Sequence, residues 1–286
     1  MENTDESFIL TRYLYIKDDV LASLCMSILD KNHEEAAFWA CELYYSGFEI
    51  EVAEYLQLIY QIFFRSNNPR LGKFMQTMVG RIMEGAHIAT TMAYNLSAKP
   101  RKFTVHDFAA RNQDPEILPE SYATETRILV HIQHDAIEKY KTKSMGLIRN
   151  WKFLQQVCLY ETRKNVMDIF GGSHRDLDFK YMCEMHRMDK HWVYFASFSP
   201  IWMARIQEYN GIIDNAAKTV IFDDCDCLEQ FFELYGYEPD EQPMLIQQRL
   251  MHLIQYKQLT MGEFCKLYDK RGVKSVRKML CSQRAS

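Results

Sequence analysis

Between residues 32 and 64 the apolar positions recur at spacings of three and four, in the stretch NHEEAAFWACELYYSGFEIEVAEYLQLIYQIFF. The pattern predicts two helices joined by a tight stop. Asn32 has the chemistry of an N-cap, and Glu35 stands where a capping-box carboxylate reaches back to the cap's amide. Ala37, Cys41 and Tyr44 make one face apolar, and Gly47 supplies the left-handed backbone that ends a helix. The second helix carries the stripe Val52, Tyr55, Leu56, Ile59 and Phe63. Phe38, Cys41, Leu56 and Ile59 are therefore expected in one cluster. Trp39 is expected on the flank, its indole N–H reaching a carbonyl or water.

Upstream, FILTRYLY is apolar and aromatic, and Lys17-Asp18-Asp19 leads into Val20, Leu21, Leu24 and Ile28, a helix ending near Lys31. Downstream, the break Ser66-Asn67-Asn68-Pro69 opens a helix through Met83, and another spans Ala86 to Leu96. Residues 99–123 hold Pro100, Pro115 and Pro119 with few periodic positions and read as a linker. Long helices are expected over 124–143 and 145–169, the second stopped by Gly171-Gly172. Pro200 opens a helix through Tyr209. Gly211-Ile-Ile-Asp, a turn at Asn215–Lys218 and Thr219-Val-Ile-Phe222 then predict a β-hairpin. Asp223 or Asp224 caps a helix from Cys227 to Tyr235, Pro243 starts another, Thr260–Glu263 is a capping-box pattern, and VKSVRKML is a short basic helix. The fold class is mainly α, packed helical hairpins with one small β-hairpin near residues 211–222. Its expected organisation is an N-terminal helical-hairpin block (1–98), the linker, and a C-terminal helical block (124–286) with the β-hairpin and a basic tail.

Composition narrows the setting. Of 286 residues, 48% are hydrophobic and 13% aromatic, so the chain is expected to fold around a core of large rings. The net charge of -4 provides no global basic field for nucleic acid. Charge is nevertheless segregated. Residues 223–241 carry eight acidic residues and no Lys or Arg, while 257–286 carry eight basic residues against two acidic ones. The plainer reading is two solvated surfaces. Eight cysteines lie scattered without a C-x-x-C pair, and the acidic start MENTDESF lacks a signal-peptide pattern, which points to a reducing, intracellular compartment. No apolar run approaches the roughly 18 residues of a membrane span, so a soluble protein without membrane partners is expected.

The sharpest candidate chemistry is His131-Ile-Gln-His134-Asp135. On a helix these two imidazoles and the carboxylate share a face and converge on a metal. His134-Asp135 also resembles the central pair of the all-α HD phosphohydrolases, with His106 and Asp168 to complete the ligand set. Ordinary composition explains the pair as a helix face, and neither a catalytic metal nor a cofactor is expected. Asp223–Glu229 lacks the glycine of a calcium loop, and Cys225 and Cys227 would need two more ligands from far off. No P-loop, dinucleotide fingerprint or nucleophile elbow is present. Lys270, Arg271, Lys274, Arg277 and Lys278 form a basic tail with the chemistry to contact phosphates. In the patch around Trp192, Tyr194, Phe198 and Trp202 most rings are expected in the core. Any left exposed would be anchors for a protein partner.

Two stretches carry a resemblance. ESFILTRYLYIKDDV with EEAAFWACELYYSGFE, and HWVYFASFSPIWMARIQEYNGIIDNAAKTVIFDD with YGYEPDEQ, resemble a family of helical proteins encoded by nucleocytoplasmic large DNA viruses. The resemblance implies an infected-cell or virion setting and brings no catalytic residues. The leading expectation is a non-enzymatic interaction or structural protein. The alternatives are a nucleic-acid-associated factor using the tail, and a metal-dependent phosphohydrolase.

Overall fold

A computed structural model describes residues 9–99, 129–141, 144–146, 152–163, 188–238, 241–246, 263, 264 and 267. The chain enters through a buried, non-helical turn. Leu10 and Ile16 pair as an isolated antiparallel bridge, the Thr11 N–H donates to Tyr15 O at 2.8 Å, and Leu14 takes φ 64°. The turn sends Arg12, Tyr13 and Tyr15 inward. Helix α1 (Lys17–Leu29) then starts with Asp18 and Asp19 in its first turn, where carboxylates favour the helix dipole.

Helix α2 (His33–Tyr44) is capped by Asn32, whose side chain accepts the Glu35 N–H at 3.3 Å. The expected return bond of the capping box is not made, because the Asn32 N–H donates to Ser27 O at 2.9 Å instead. The Glu35 carboxylate turns inward. It accepts from Asn32 Nδ2 (2.9 Å), Trp39 Nε1 (3.2 Å) and Arg163 Nε (2.9 Å), and Arg163 also pairs with Asp30.

Every residue of α2 from Glu35 to Leu43 is buried. Such a helix is central rather than one-faced. It packs most extensively on α5 (Ala86–Ala98) and α1, and less on α3 (Glu49–Ile59), its neighbour in sequence. Trp39 is accordingly not on a flank. It is fully buried between Tyr15 and Tyr160, and its N–H meets a carboxylate rather than a carbonyl or water. Phe38, Cys41, Leu56 and Ile59 do share one core cluster, with Phe38 touching the rings of Tyr15, Tyr140 and Tyr160.

Gly47 ends the hairpin's first helix with φ 91°, and a Cβ there would lie 2.6 Å from Pro200 Cβ. A side chain is excluded twice, by backbone conformation and by space. Helix α3 runs into a π-helical turn, Tyr60–Phe64. Helix α4 (Leu71–Gly80), a 3-10 turn at Ile82–Glu84 and α5 complete five α-helices, close to the sequence pattern.

The second half departs from its pattern. Residues 129–133 take no regular secondary structure and are not helical. Asn95 of α5 acts as a strand edge for them: its Oδ1 accepts the Val130 N–H at 3.0 Å and its Nδ2 donates to Val130 O at 2.7 Å. Thr91 Oγ1 accepts the Ile132 N–H at 2.9 Å. A 3-10 helix, Asp135–Tyr140, follows. The helix expected over 145–169 is reduced, among the described residues, to α6 (Phe153–Val157). Residues 158–163 find tertiary partners instead, Tyr160 O accepting from Tyr15 Oη at 2.9 Å and the Arg163 N–H donating to Ser23 Oγ at 2.6 Å.

Helix α7 (Met188–Ala196) is kinked at His191, and α8 (Pro200–Glu208) opens on Pro200. Strands β1 (Gly211–Asp214) and β2 (Thr219–Phe222) form the antiparallel hairpin the β-branched runs predict, in the register Gly211↔Phe222 to Asp214↔Thr219. Helix α9 (Cys225–Tyr235) is capped by Asp224, which accepts the Cys227 N–H at 2.7 Å. The fold is thus mainly α with one small two-stranded sheet. Described residues on both sides of the expected linker share one core. Trp202 Nε1 donates to Thr11 O at 3.0 Å, and the Ile201 N–H donates to Ser46 O at 3.3 Å. No helix among the described residues is long and apolar enough to cross a membrane.

Candidate interaction surface

The histidine motif does not assemble as a helix face would. His131 lies against the Phe74 ring at 6.1 Å, whereas His134 faces His87 of α5, ring centroids 5.7 Å apart. No group of three or more metal-capable side chains forms among the described residues, and His106 and Asp168 lie outside them. Burial, then His134, depresses the His87 pKa, and its Nδ1 is buried without a hydrogen-bond partner.

The aromatic candidates fall mostly in the core, where most of them were expected. Trp192, Tyr194 and Trp202 are core residues, and Phe198 is partly buried against them. The indole N–H of Trp202 is already bonded to Thr11, and its ring meets Trp192, Tyr235 and Tyr237 at 5.3, 5.9 and 5.5 Å. Rings packed in this way hold the C-terminal helices to the entry turn and are not free to anchor a partner. The basic candidates Lys270, Arg271, Lys274, Arg277 and Lys278 lie outside the described residues.

Three of the described thiols lie in the core. Cys25, Cys41 and Cys158 are buried; burial raises the Cys25 pKa and pushes Cys41 up to about 11. Such thiols stay protonated and behave as small hydrophobes.

An exposed apolar feature does appear on the β-hairpin. Side chains alternate across a strand, so the cross-strand pairs Ile212↔Ile221 and Ile213↔Val220 face opposite ways. Ile213 and Val220 pack against the core, with Phe222 ring-to-ring on Phe231 of α9 at 4.9 Å. Ile212 and Ile221 face solvent, 61% and 53% exposed. A single exposed isoleucine is ordinary, but a directly opposed pair is a ready two-residue anchor. Leu228 of α9 is exposed as well.

The chain that follows the hairpin is acidic. Asp223, Asp224, Asp226, Glu229 and Glu233 are exposed from the end of β2 along α9, and Lys218 is the one basic residue between positions 211 and 238. Asp224 is held ionised by the backbone N–H of Cys227, which lowers its pKa. Asp214 accepts the Ala216 and Ala217 N–H groups at 2.9 Å, so the turn presenting the isoleucines is locally fixed. The hairpin was legible as a hairpin, and the acidic run as a run. That the strand face carrying Ile212 and Ile221 looks outward was not, because both faces of this hairpin are β-branched.

Comparison of the chain with protein-family models, curated proteins and solved structures returns no match. The functional reading therefore rests on the surface itself.

Proposed function

We propose that the protein is a non-enzymatic interaction protein whose outward hairpin face receives a basic, apolar-anchored segment of another protein. The observation that carries this reading is the exposed Ile212–Ile221 pair on a hairpin that the chain follows directly with five exposed carboxylates, from Asp223 to Glu233. Apolar burial supplies affinity, about 1.5–3 kcal/mol for each isoleucine taken fully out of water. The acidic rim supplies orientation and a faster encounter with a basic partner. The partner's own cations would meet carboxylates at contact, so a neutral or acidic segment is disfavoured. The infected-cell or virion setting implied by the resemblance of the entry turn and the 191–224 stretch belongs to the same proposal.

The test is a titration of the full chain with two fluorescent helical peptides of equal charge, one alternating Lys with Leu at helical spacing, the other Lys with Ser. The Lys/Leu peptide is expected to bind, to weaken as salt rises from about 50 mM to about 500 mM, and to lose binding to Ile212→Ser/Ile221→Ser. Equal binding of both peptides, or unchanged binding to the double variant, overturns the proposal.

A further inference from the structure

Arg205 of α8 keeps 4% of its surface exposed, and both terminal nitrogens, Nη1 and Nη2, are buried without a hydrogen-bond partner. Two aromatic rings, set edge to face 5.9 Å apart, meet at it: the guanidinium carbon lies 4.5 Å from the Trp202 ring and 4.4 Å from the Tyr235 ring. Ring faces attract a cation but do not answer the in-plane N–H donors. The contrast with Arg12 is direct. That arginine is equally buried, yet its Nε donates to Glu42 at 2.8 Å and its Nη2 to Tyr140 O at 2.7 Å. Among the described residues no carboxylate forms an ion pair with Arg205.

Buried guanidinium donors left without acceptors are rare in folded proteins, because the desolvated charge is then uncompensated. Where such a group persists, an acceptor arrives from elsewhere. A planar fork of two adjacent nitrogens fits two oxygens of one oxyanion, which accept in parallel. We propose that Arg205 anchors a site for a small oxyanion, a phosphate or carboxylate group, received edge-on by Nη1 and Nη2 beside the corner that Trp202 and Tyr235 form. Trp202 is fully buried and Tyr235 only partly, so the solvent side of the site is the Tyr235 side. The nitrogens are sealed in this state, so the anion enters as the Tyr235 ring moves aside. Burial, reinforced by the nearby charge of Arg12, lowers the Arg205 pKa, a shift that an anion at the fork opposes.

This site is separate from the hairpin face, and its test does not depend on that face. Thermal unfolding of the full chain is followed in inorganic phosphate and, separately, in acetate, each replaced by chloride at constant ionic strength. The melting temperature is expected to climb with the logarithm of oxyanion concentration. The anion giving the larger rise at equal concentration identifies the group the fork prefers. Arg205→Met keeps an aliphatic stem against the two rings and is expected to abolish the response. Should that variant not fold, Arg205→Lys, which retains the charge without the fork, is expected to weaken the phosphate response at least tenfold. Line broadening of the phosphate 31P signal by the wild-type chain gives an independent reading of binding. No response to either anion, or equal responses in wild type and variant, overturns the assignment.

Discussion

The Arg12 Nε donates to the Glu42 carboxylate at 2.8 Å where neither side chain keeps more than 1% of its surface. Around this pair the entry turn, α2 and the 3-10 helix are tied together. The Tyr13 N–H donates to Glu42 Oε1 at 3.3 Å, the Arg12 N–H to Ser46 Oγ at 2.9 Å, and Arg12 Nη2 to Tyr140 O at 2.7 Å. Burial alone lowers the Arg12 pKa, but Glu42, Tyr13 and Cys41 together outweigh it and the net shift is upward. Removing one partner strands the other charge, so Glu42→Ala is expected to cost about 3–5 kcal/mol. The double variant Arg12→Met/Glu42→Ala should cost less than the sum of the two single changes. Urea denaturation of the four proteins measures this, and additive costs would contradict it.

Phe38 is the ring on which the entry turn and both distant tyrosines converge, with Tyr15, Tyr160 and Tyr140 at 6.3, 5.3 and 5.9 Å. Phe38→Ala should cost about 3–5 kcal/mol as a core truncation, a large share of a typical margin of about 5–15 kcal/mol. A variant melting within error of the parent would show that α2 is not the centre of the core.

Gly47→Ala tests the contact between the hairpin and α8. The left-handed backbone costs a side chain about 1–2 kcal/mol, and the clash with Pro200 adds an overpacking cost of about 1–3 kcal/mol. Pairing it with Pro200→Gly should restore the steric part only. Full restoration, or none, would mean that the 2.6 Å approach is not what excludes a side chain.

How far the sequence foretold these contacts depends on the range of the cause. Gly47, the Asn32 cap and the β-hairpin register follow from residues close in the chain, and each appeared where the local pattern put it. The inward turn of Glu35 and Glu42 did not, because their partners Arg163 and Arg12 stand 128 and 30 residues away. The same reason explains the lost helix at 129–133. Its apolar spacing is helical, but Asn95 and Thr91 of α5 supply backbone partners that no local signal announces. Of the candidate sites, the aromatic patch was rightly read as mostly core, whereas the outward pair Ile212–Ile221 and the unanswered Arg205 depend on tertiary placement.

The His87–His134 contact sets a pH dependence. Burial first and His134 second lower the His87 pKa, opposed by Glu84 and reinforced by Arg81. The unfolded chain therefore binds the proton more readily than the folded one. Stability from this group is present above the unfolded value of about 6.5 and is lost as pH falls from there through the depressed folded value. The stability difference between wild type and His87→Gln should therefore shift against wild type between about pH 7 and pH 5. A pH-independent difference, from denaturation curves at each pH, would remove His87 as the cause.

The proposal that the hairpin is a docking face is tested most directly by a photo-crosslinker at position 221, with a control at the exposed position 76 on α4. The protein is irradiated in the cells that produce it, and the crosslinked peptides are sequenced. The account predicts crosslinks to a basic, apolar-bearing segment of another protein at 221 and not at 76, suppressed by high salt in extracts and by Ile212→Glu. Equal products at both positions, products unmoved by salt and by Ile212→Glu, or crosslinks confined to the chain's own basic residues 257–286, would contradict it.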